Sequence, residues 1–235
     1  MHILLTGATG YIAQRLLPVL LKRGHQVTCL VRNSSRFDSN KYGYQSHLQV
    51  VEADLMDSQS LLFIPKDIDA AYYLVHSMSS GNNFDGNESK SAENFSAAIE
   101  KTNAKQIIFL SGIVNSADLS KHLSSRRNVE RILGEGKTPL TTLRAGIIVG
   151  SGSASFEIIR DLVEKLPVMI APRWLHTKCQ PIAIRNVIEF LAGVLLREDA
   201  FSQHFDIYGP DILSYKQMLL QFAAEPKLNS RIYIV

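Results

Sequence analysis

Cysteine, net charge and long apolar runs are all scarce in this 235-residue sequence. Its two cysteines, Cys29 and Cys179, cannot form a disulfide framework or a cysteine metal cluster, so we expect reduced thiols, a cytoplasmic location and no metal site. A net charge of +3 does not indicate a nucleic-acid partner or a membrane surface. No apolar run approaches the roughly 20 residues that span a bilayer. We therefore expect a monomer or homodimer that acts on a small-molecule substrate.

Strand-like and helix-like segments alternate along most of the sequence. Short runs rich in valine, isoleucine and leucine are followed by segments with apolar residues at helical spacing. The predicted strands comprise residues 2–6, 27–32, 48–55, 70–77, 106–112, 140–150 and 204–209. The predicted helices comprise residues 11–24, 89–101, 121–133, 155–166 and 185–196. This alternation is typical of an α/β fold with a doubly wound parallel sheet of the Rossmann type.

The character of the sequence changes after Gly150. We expect residues 1–150 to form the Rossmann core. Residues 151–235 are expected to supply a small C-terminal substrate lobe, interleaved with the end of the core in a single structural unit. The apolar run RIYIV at residues 231–235 predicts that further residues follow downstream.

The segment TGATGYIA, residues 6–13, follows a predicted strand and opens a predicted helix. In this context Gly7 permits a tight turn, and Gly10 lets backbone amides approach a pyrophosphate. Ala13 is small enough for the helix to pack on the strand. The unpaired amides and the dipole at the helix start favour an anion. The simpler alternative is a tight turn that needs glycine for its backbone conformation alone.

Three segments together resemble a known superfamily. TGATGYIA, the pair Asp54-Leu55 and the run LRAGIIVG at residues 143–150 are similar to the extended and atypical short-chain dehydrogenases/reductases. The similarity is closest to the NmrA-like branch, which includes bacterial proteins of the nucleoside-diphosphate-sugar epimerase type. It extends over nearly the whole chain.

The resemblance implies that a nicotinamide dinucleotide binds along the ends of the strands. In the glycine-rich segment it implies contacts from Gly7, Thr9, Gly10, Tyr11 and Ile12. It also places Asp54 at the adenine edge and Leu55 against the base. Asp54 is equally suited to cap a following helix, so both readings stay open.

The end of the predicted second strand carries cations where NAD-binding Rossmann proteins usually carry an acid. Arg32 occupies this position, and no acid follows until Asp38. The intervening residues are Asn33, Ser34, Ser35 and Arg36. Because the planar fork of arginine suits a ribose 2′-phosphate, and serine hydroxyls can donate to it, we predict NADP(H) over NAD(H). The alternative is a solvated basic loop.

Polar residues also end the predicted fourth and fifth strands, at the sheet edge where open α/β folds bind ligands. Their position predicts cofactor contacts for Val75, His76 and Ser111. A histidine at a strand end is also commonly a satisfied structural residue, and this alternative stays open.

The superfamily's usual catalytic motif, Tyr-x-x-x-Lys, is absent from the sequence. In the superfamily the lysine is often preceded by a serine and followed four residues later by an acid, and Ser125 and Glu130 match these two residues. This match places Arg126 in the lysine position and His122 in the tyrosine position. Both are therefore our candidate catalytic residues. Ile113 stands where the reactive serine is usual. The alternative for His122 and Arg126 is a solvent-facing pair on a basic helix turn.

These substitutions leave three functions open. We favour an NADP(H)-dependent oxidoreductase of a small carbonyl, quinone or nucleotide-linked substrate, because a reduced quinone can take its protons from water. The first alternative is a catalytically silent NADP(H)-sensing regulator. The second is a nucleoside-diphosphate-sugar epimerase, which the missing tyrosine disfavours because that reaction needs matched proton transfer.

Overall fold

The computed structural model describes residues 1–75, 84–113, 121–165 and 173–224. The strands are β1 (His2–Thr6), β2 (Gln26–Val31), β3 (Leu48–Glu52), β4 (Ala70–Tyr73), β5 (Gln106–Gly112), β6 (Leu140–Ala145), β7 (Ile148–Val149), β8 (Lys178–Cys179), β9 (Ile182–Ala183), β10 (His204–Ile207) and β11 (Leu213–Ser214). The helices are α1 (Ala13–Lys22), α2 (Phe84–Ile99), α3 (Lys121–Gly134), α4 (Ala154–Lys165), α5 (Ile184–Gly193) and α6 (Tyr215–Ala223).

A seven-stranded sheet with the order β10, β6, β5, β4, β1, β2, β3 organises the fold. The strands from β3 to β5 in this order pair in parallel. Every residue of β1 is buried, which explains why this strand reads as an unbroken apolar run and not as an alternating pattern. The order confirms the predicted Rossmann-type α/β fold.

The prediction of one continuous strand over residues 140–150 is wrong. β6 ends at Ala145, and β7 pairs with β9 in a separate two-stranded sheet. At the break, the amide of Gly146 donates to the carbonyl of Ile207 at 3.0 Å. A Cβ atom on Gly146 would lie 2.1 Å from the carbonyl oxygen of Gln180. The backbone therefore changes sheets at a glycine because no side chain fits there.

The main hydrophobic core includes side chains of β4, β5, α2 and α3. Three aromatic rings meet in it edge to face, with centroid distances of 4.9 Å between Tyr73 and Phe95 and 5.9 Å between Tyr73 and Phe109. Such pairs add roughly 0.5–1.5 kcal/mol each beyond the burial of their area. This packing fixes α2 against β4 and β5.

The chain divides into two compact units that exchange segments. The first comprises Met1–Arg144 and Ile188–Phe205, and the second comprises Ala145–Val187 and Asp206–Val235. The second unit has its own core, formed by Ile159, Val163, Leu175, Met218 and Leu219. No helix within the described ranges is both long and apolar enough to cross a membrane.

Candidate functional site

The register of the parallel strands brings the predicted cofactor residues to one edge of the sheet. Thr6 pairs with Leu30, and Val31 pairs with Glu52. Because parallel strands end at the same edge, the segments that follow β1 to β5 leave the sheet side by side. This carboxyl edge is where open α/β sheets bind ligands. Of the predicted residues, those that the structure describes lie in segments 7–12, 32–36 and 54–55 and at residues 75 and 111.

Gly7 fits its place in two ways. Its φ angle is +65°, in the left-handed region that glycine tolerates. A Cβ atom there would also lie 2.7 Å from the carbonyl oxygen of Leu74, so the first loop runs directly against the end of β4. The amide of Gly10 then donates to the carbonyl of Gly7 at 2.7 Å, which closes the turn.

Thr6 is a residue that positions the glycine loop, and the sequence reasoning missed it. Its buried hydroxyl donates to the carbonyl of Tyr72 at 2.9 Å and accepts from the amide of Leu74 at 3.1 Å. The hydroxyl therefore ties the end of β1 to the end of β4 and holds Gly7 beside Leu74. A threonine that ends an otherwise apolar strand just before the first glycine is a signal that could have identified it.

Helix α1 begins without a side-chain cap. Ile12 occupies the N-cap position and accepts nothing through its side chain. Within the described ranges, the amides of Tyr11 and Ile12 have no backbone acceptor. Uncapped amides at the positive end of the helix dipole are suited to a phosphate anion. The free amides and the space kept by Gly7 and Gly10 fit the pyrophosphate of a dinucleotide.

Thr9 and Tyr11 complete the loop in different ways. Thr9 is exposed, and its carbonyl accepts from the side-chain amide of Gln14 at 2.7 Å. The ring of Tyr11 packs under the guanidinium of Arg15, 3.7 Å from the ring centroid. The hydroxyl of Tyr11 is buried and has no hydrogen-bond partner in the described part of the chain.

The loop that follows β2 presents two exposed cations. Arg32 and Arg36 form no ion pair with any described residue. The side-chain oxygen of Asn33 accepts from the amide and the hydroxyl of Ser35, at 2.9 and 2.6 Å, and so shapes the turn between the two arginines. Two free guanidinium groups on a fixed turn fit a phosphate monoester.

Ser34 is held by Glu52, a residue that the sequence reasoning also missed. Its amide and its hydroxyl donate to the same carboxylate oxygen, at 2.8 and 2.6 Å. These bonds lower the pKa of Glu52, so the exposed side chain carries a negative charge at neutral pH. The basic loop thus has an acid beside it, contributed by the neighbouring strand β3 and not by β2.

Asp54 and Leu55 follow β3, the first with an exposed side chain and the second with a buried one. The carboxylate of Asp54 accepts from the amide of Met56 at 2.9 Å, a local turn and not a helix cap. Leu55 is buried in the main core, and its carbonyl accepts from the side chain of Asn94. Contacts of Asp54 and Leu55 with an adenine stay predictions.

The ends of β4 and β5 lie next to the glycine loop and α3. Val75 is partly buried and packs against the main core, and Ser111 is buried at the end of β5. His76 lies outside the described residues. Cofactor contacts of these three residues stay predictions.

The candidate catalytic residue Arg126 lies close to Phe109 of β5 and to the buried carboxylate of Glu88. The guanidinium of Arg126 lies over the ring of Phe109, 5.5 Å from its centroid. Burial lowers the pKa of Arg126, and the negative charge of Glu88 acts in the opposite direction. Glu88, on α2, is buried and accepts a short hydrogen bond from the hydroxyl of Ser125. Burial also raises the pKa of Tyr73, which keeps its phenol neutral.

Glu130 and His122 are the other two residues of α3 that the sequence analysis compared with the catalytic motif. Glu130 forms a forked ion pair with Arg144, with nitrogen–oxygen distances of 2.7 and 3.3 Å, and so ties α3 to β6. His122 belongs to α3, but its side chain lies outside the described part of the structure. The described residues contain no cluster of three possible metal ligands.

Sequence and structure comparisons agree with this arrangement. The NAD(P)H-binding family matches residues 7–148, which is more than half of the 235-residue chain. No curated protein sequence matches the chain significantly.

The solved structures most similar to the chain include several epimerases. A nucleoside-diphosphate-sugar epimerase from Staphylococcus aureus is 15% identical, with a TM-score of 0.81 over 100% of this chain and 80% of its own. The UDP-glucose 4-epimerase of Thermotoga maritima, solved with UDP-glucose, is 13% identical, with a TM-score of 0.80 over 100% and 85%. The UDP-glucuronic acid 4-epimerase of Bacillus cereus, in complex with UDP-glucuronic acid and NAD, is 17% identical, with a TM-score of 0.75 over 100% and 86%.

At such identities the structural likeness shows a shared fold alone. The sequence match, in contrast, begins at Gly7 in the glycine loop and extends through the basic loop and α3. The chain belongs to the NAD(P)H-binding family.

Proposed function

We propose that the chain is an NADP(H)-dependent oxidoreductase of a small carbonyl, quinone or nucleotide-linked substrate. The observation that carries the proposal is the pair of exposed arginines, Arg32 and Arg36, without ion-pair partners among the described residues. They follow β2 at the edge where the glycine loop follows β1. NADP(H), when bound, supplies or accepts a hydride. We also propose a cytoplasmic location, because Cys29 and Cys179 are both free thiols.

In this proposal the residues of α3 orient the substrate end of the site. Arg126 is partly buried and offers a positive charge and planar donors to ribose or substrate oxygens. Its place over Phe109 and near Glu88 restricts its motion. His122 would move a proton at the substrate oxygen, since imidazole titrates near neutral pH. Without a tyrosine at this position, a quinone that can be protonated by water suits the site best.

Two alternatives have some support. The silent NADP(H) sensor draws on the absence of the Tyr-x-x-x-Lys motif and on Ile113 at the position of the reactive serine. The epimerase alternative draws on the names of the structural relatives. It requires proton transfer that the residues of α3 are poorly equipped to perform.

Turnover assays separate the three functions. Consumption of NADPH should be followed optically against a panel of quinones and aldehydes, with NADH as the comparison. We expect turnover with NADPH and at least one quinone. Tight binding of NADPH without turnover across the panel would support the sensor. Interconversion of UDP-sugars without net cofactor consumption would support the epimerase.

Replacing both Arg32 and Arg36 by alanine should raise the Kd for NADPH by about 10- to 100-fold, because hydrogen bonds to a charged group contribute roughly 1.5–3 kcal/mol. The Kd for NADH should change little, since this cofactor lacks the 2′-phosphate. Lys105, an exposed cation just before β5 at the opposite edge, offers the control variant Lys105→Ala. Equal losses for NADPH and NADH in the double variant would contradict the proposed phosphate site.

With an aldehyde as substrate, whose oxygen must be protonated in the site, replacing His122 by alanine should lower kcat by about 100-fold, the smaller effect typical of losing a general acid or base. KM and the Kd for NADPH should stay near the wild-type values. The matched control is His204→Ala, which removes an exposed histidine of β10. A His122→Ala enzyme with unchanged kcat would show that this histidine belongs to the helix surface.

A further inference from the structure

The two donors of Ser34 in the basic loop are already engaged by an acid within the protein. The amide and the hydroxyl of Ser34 both point at one oxygen of Glu52, at 2.8 and 2.6 Å. The neighbouring donors of Ser35 are engaged in the same manner by Asn33. The serine donors that we assign to a ribose 2′-phosphate are therefore held by internal oxygens.

The parallel pairing of β3 with β2 determines the position of Glu52. It is the last residue of β3 and pairs with Val31, the last residue of β2. The amide of Ala53 also donates to the carbonyl of Val31 at 2.9 Å, which fixes the two strand ends together. The exposed carboxylate therefore lies beside the start of the basic loop, at the position from which Arg32 leaves the sheet.

A carboxylate and a phosphate compete for the same donors. Both are anions that accept hydrogen bonds, and a 2′-phosphate carries about 1.5 to 2 negative charges near neutral pH. It cannot share the donors of Ser34 with Glu52, because like charges at this spacing repel. A 2′-hydroxyl differs, since it can donate to a carboxylate. The exposed side chain of Glu52 is free to rotate away when a phosphate arrives.

We propose that Glu52 sets the discrimination between NADP(H) and NAD(H), because its carboxylate holds the Ser34 donors that a ribose 2′-phosphate needs. This inference rests on the proposed use of NADP(H). Glu52 weakens the preference that Arg32 and Arg36 create, and it offers an acceptor to the unphosphorylated ribose. The chain thus carries both elements of cofactor choice, the cations after β2 and the acid at the end of β3.

The test is the variant Glu52→Gln, titrated with NADPH and with NADH. Glutamine removes the charge, and its neutral oxygen holds the donors of Ser34 less strongly than the carboxylate does, so a phosphate can displace it more easily. We expect the Kd for NADPH to fall by about tenfold, as for the removal of one repelling charge near the surface. The Kd for NADH should stay the same or rise. Glu189→Gln, which removes an exposed carboxylate from α5, controls for net charge and should change neither Kd.

A second variant tests whether Glu52 affects NADPH binding by holding the donors of Ser34. Ser34→Ala should raise the Kd for NADPH, and the gain from Glu52→Gln should shrink in this background because the hydroxyl is no longer there to be released. An unchanged or higher Kd for NADPH in Glu52→Gln would overturn the inference. Wild-type protein that binds neither cofactor would instead overturn the proposed function, and the inference with it. Wild-type protein that binds NADH alone, with NADPH binding gained in Glu52→Gln, would support the role of Glu52 and contradict the proposed NADP(H) preference.

Discussion

Replacing Gly7 by alanine should abolish cofactor binding and lower the free energy of unfolding by about 2–4 kcal/mol. Two costs combine at this position. The φ angle of +65° is unfavourable for any residue with a Cβ atom. The added atom would also lie 2.7 Å from the carbonyl oxygen of Leu74 and 3.3 Å from the amide nitrogen of Val75, which are both backbone atoms that cannot rotate away.

The binding effect follows from the same geometry. To relieve the contact, the glycine loop must move away from the end of β4, and Gly10 and the uncapped amides of α1 move with it. The variant Gly24→Ala is the matched control, because Gly24 has a φ angle of +78° and open space around its missing side chain. It should cost about 1 kcal/mol and leave binding intact. Urea unfolding and NADPH titration measure both effects, and equal losses in the two variants would contradict the close contact with β4.

Replacing Glu88 by alanine should lower the free energy of unfolding by about 1–3 kcal/mol, the cost of leaving a buried hydrogen-bond donor unsatisfied. Only 7% of Glu88 is exposed, and the partly buried guanidinium of Arg126 is close enough for the two charges to attract each other. Removal of the carboxylate takes this opposite charge away from Arg126. It also leaves the hydroxyl of Ser125, a residue that is 4% exposed, without its acceptor.

Two further variants make this prediction specific. Glu88→Gln preserves an acceptor for Ser125 and removes only the charge, so its loss of stability should lie between those of wild type and Glu88→Ala. Glu135→Ala breaks the exposed ion pair with Arg131 near the end of α3 and should cost no more than about 0.5 kcal/mol. Glu88→Ala that unfolds at the same urea concentration as Glu135→Ala would show that the buried carboxylate does not stabilise α2 against α3.

The features that the sequence predicts well depend on neighbours along the chain. The alternation of apolar strands and helices predicts the order of elements, and the glycine spacing predicts the loop between β1 and α1. Helix α3, predicted over residues 121–133, ends at Gly134. Each of these signals lies within a few residues of the structure that it specifies, so no knowledge of the tertiary fold is needed.

The features that the sequence did not predict depend on contacts between distant segments. Glu52 and Ser34 are 18 residues apart and meet only because β3 pairs with β2. Glu88 and Ser125 are 37 residues apart and meet only because α2 packs on α3. A surface acid and a buried acid look alike in a sequence, and only the fold distinguishes their roles. The break at Gly146 has the same origin, since the close backbone of Gln180 comes from another part of the chain.

The most direct test of the proposed cofactor site is a calorimetric titration of the wild-type protein with NADPH and with NADH under identical conditions. The free guanidinium groups of Arg32 and Arg36 predict a Kd for NADPH at least about tenfold below that for NADH, a difference of roughly 1.4 kcal/mol. An equal or lower Kd for NADH would contradict the assignment of the basic loop to a ribose 2′-phosphate.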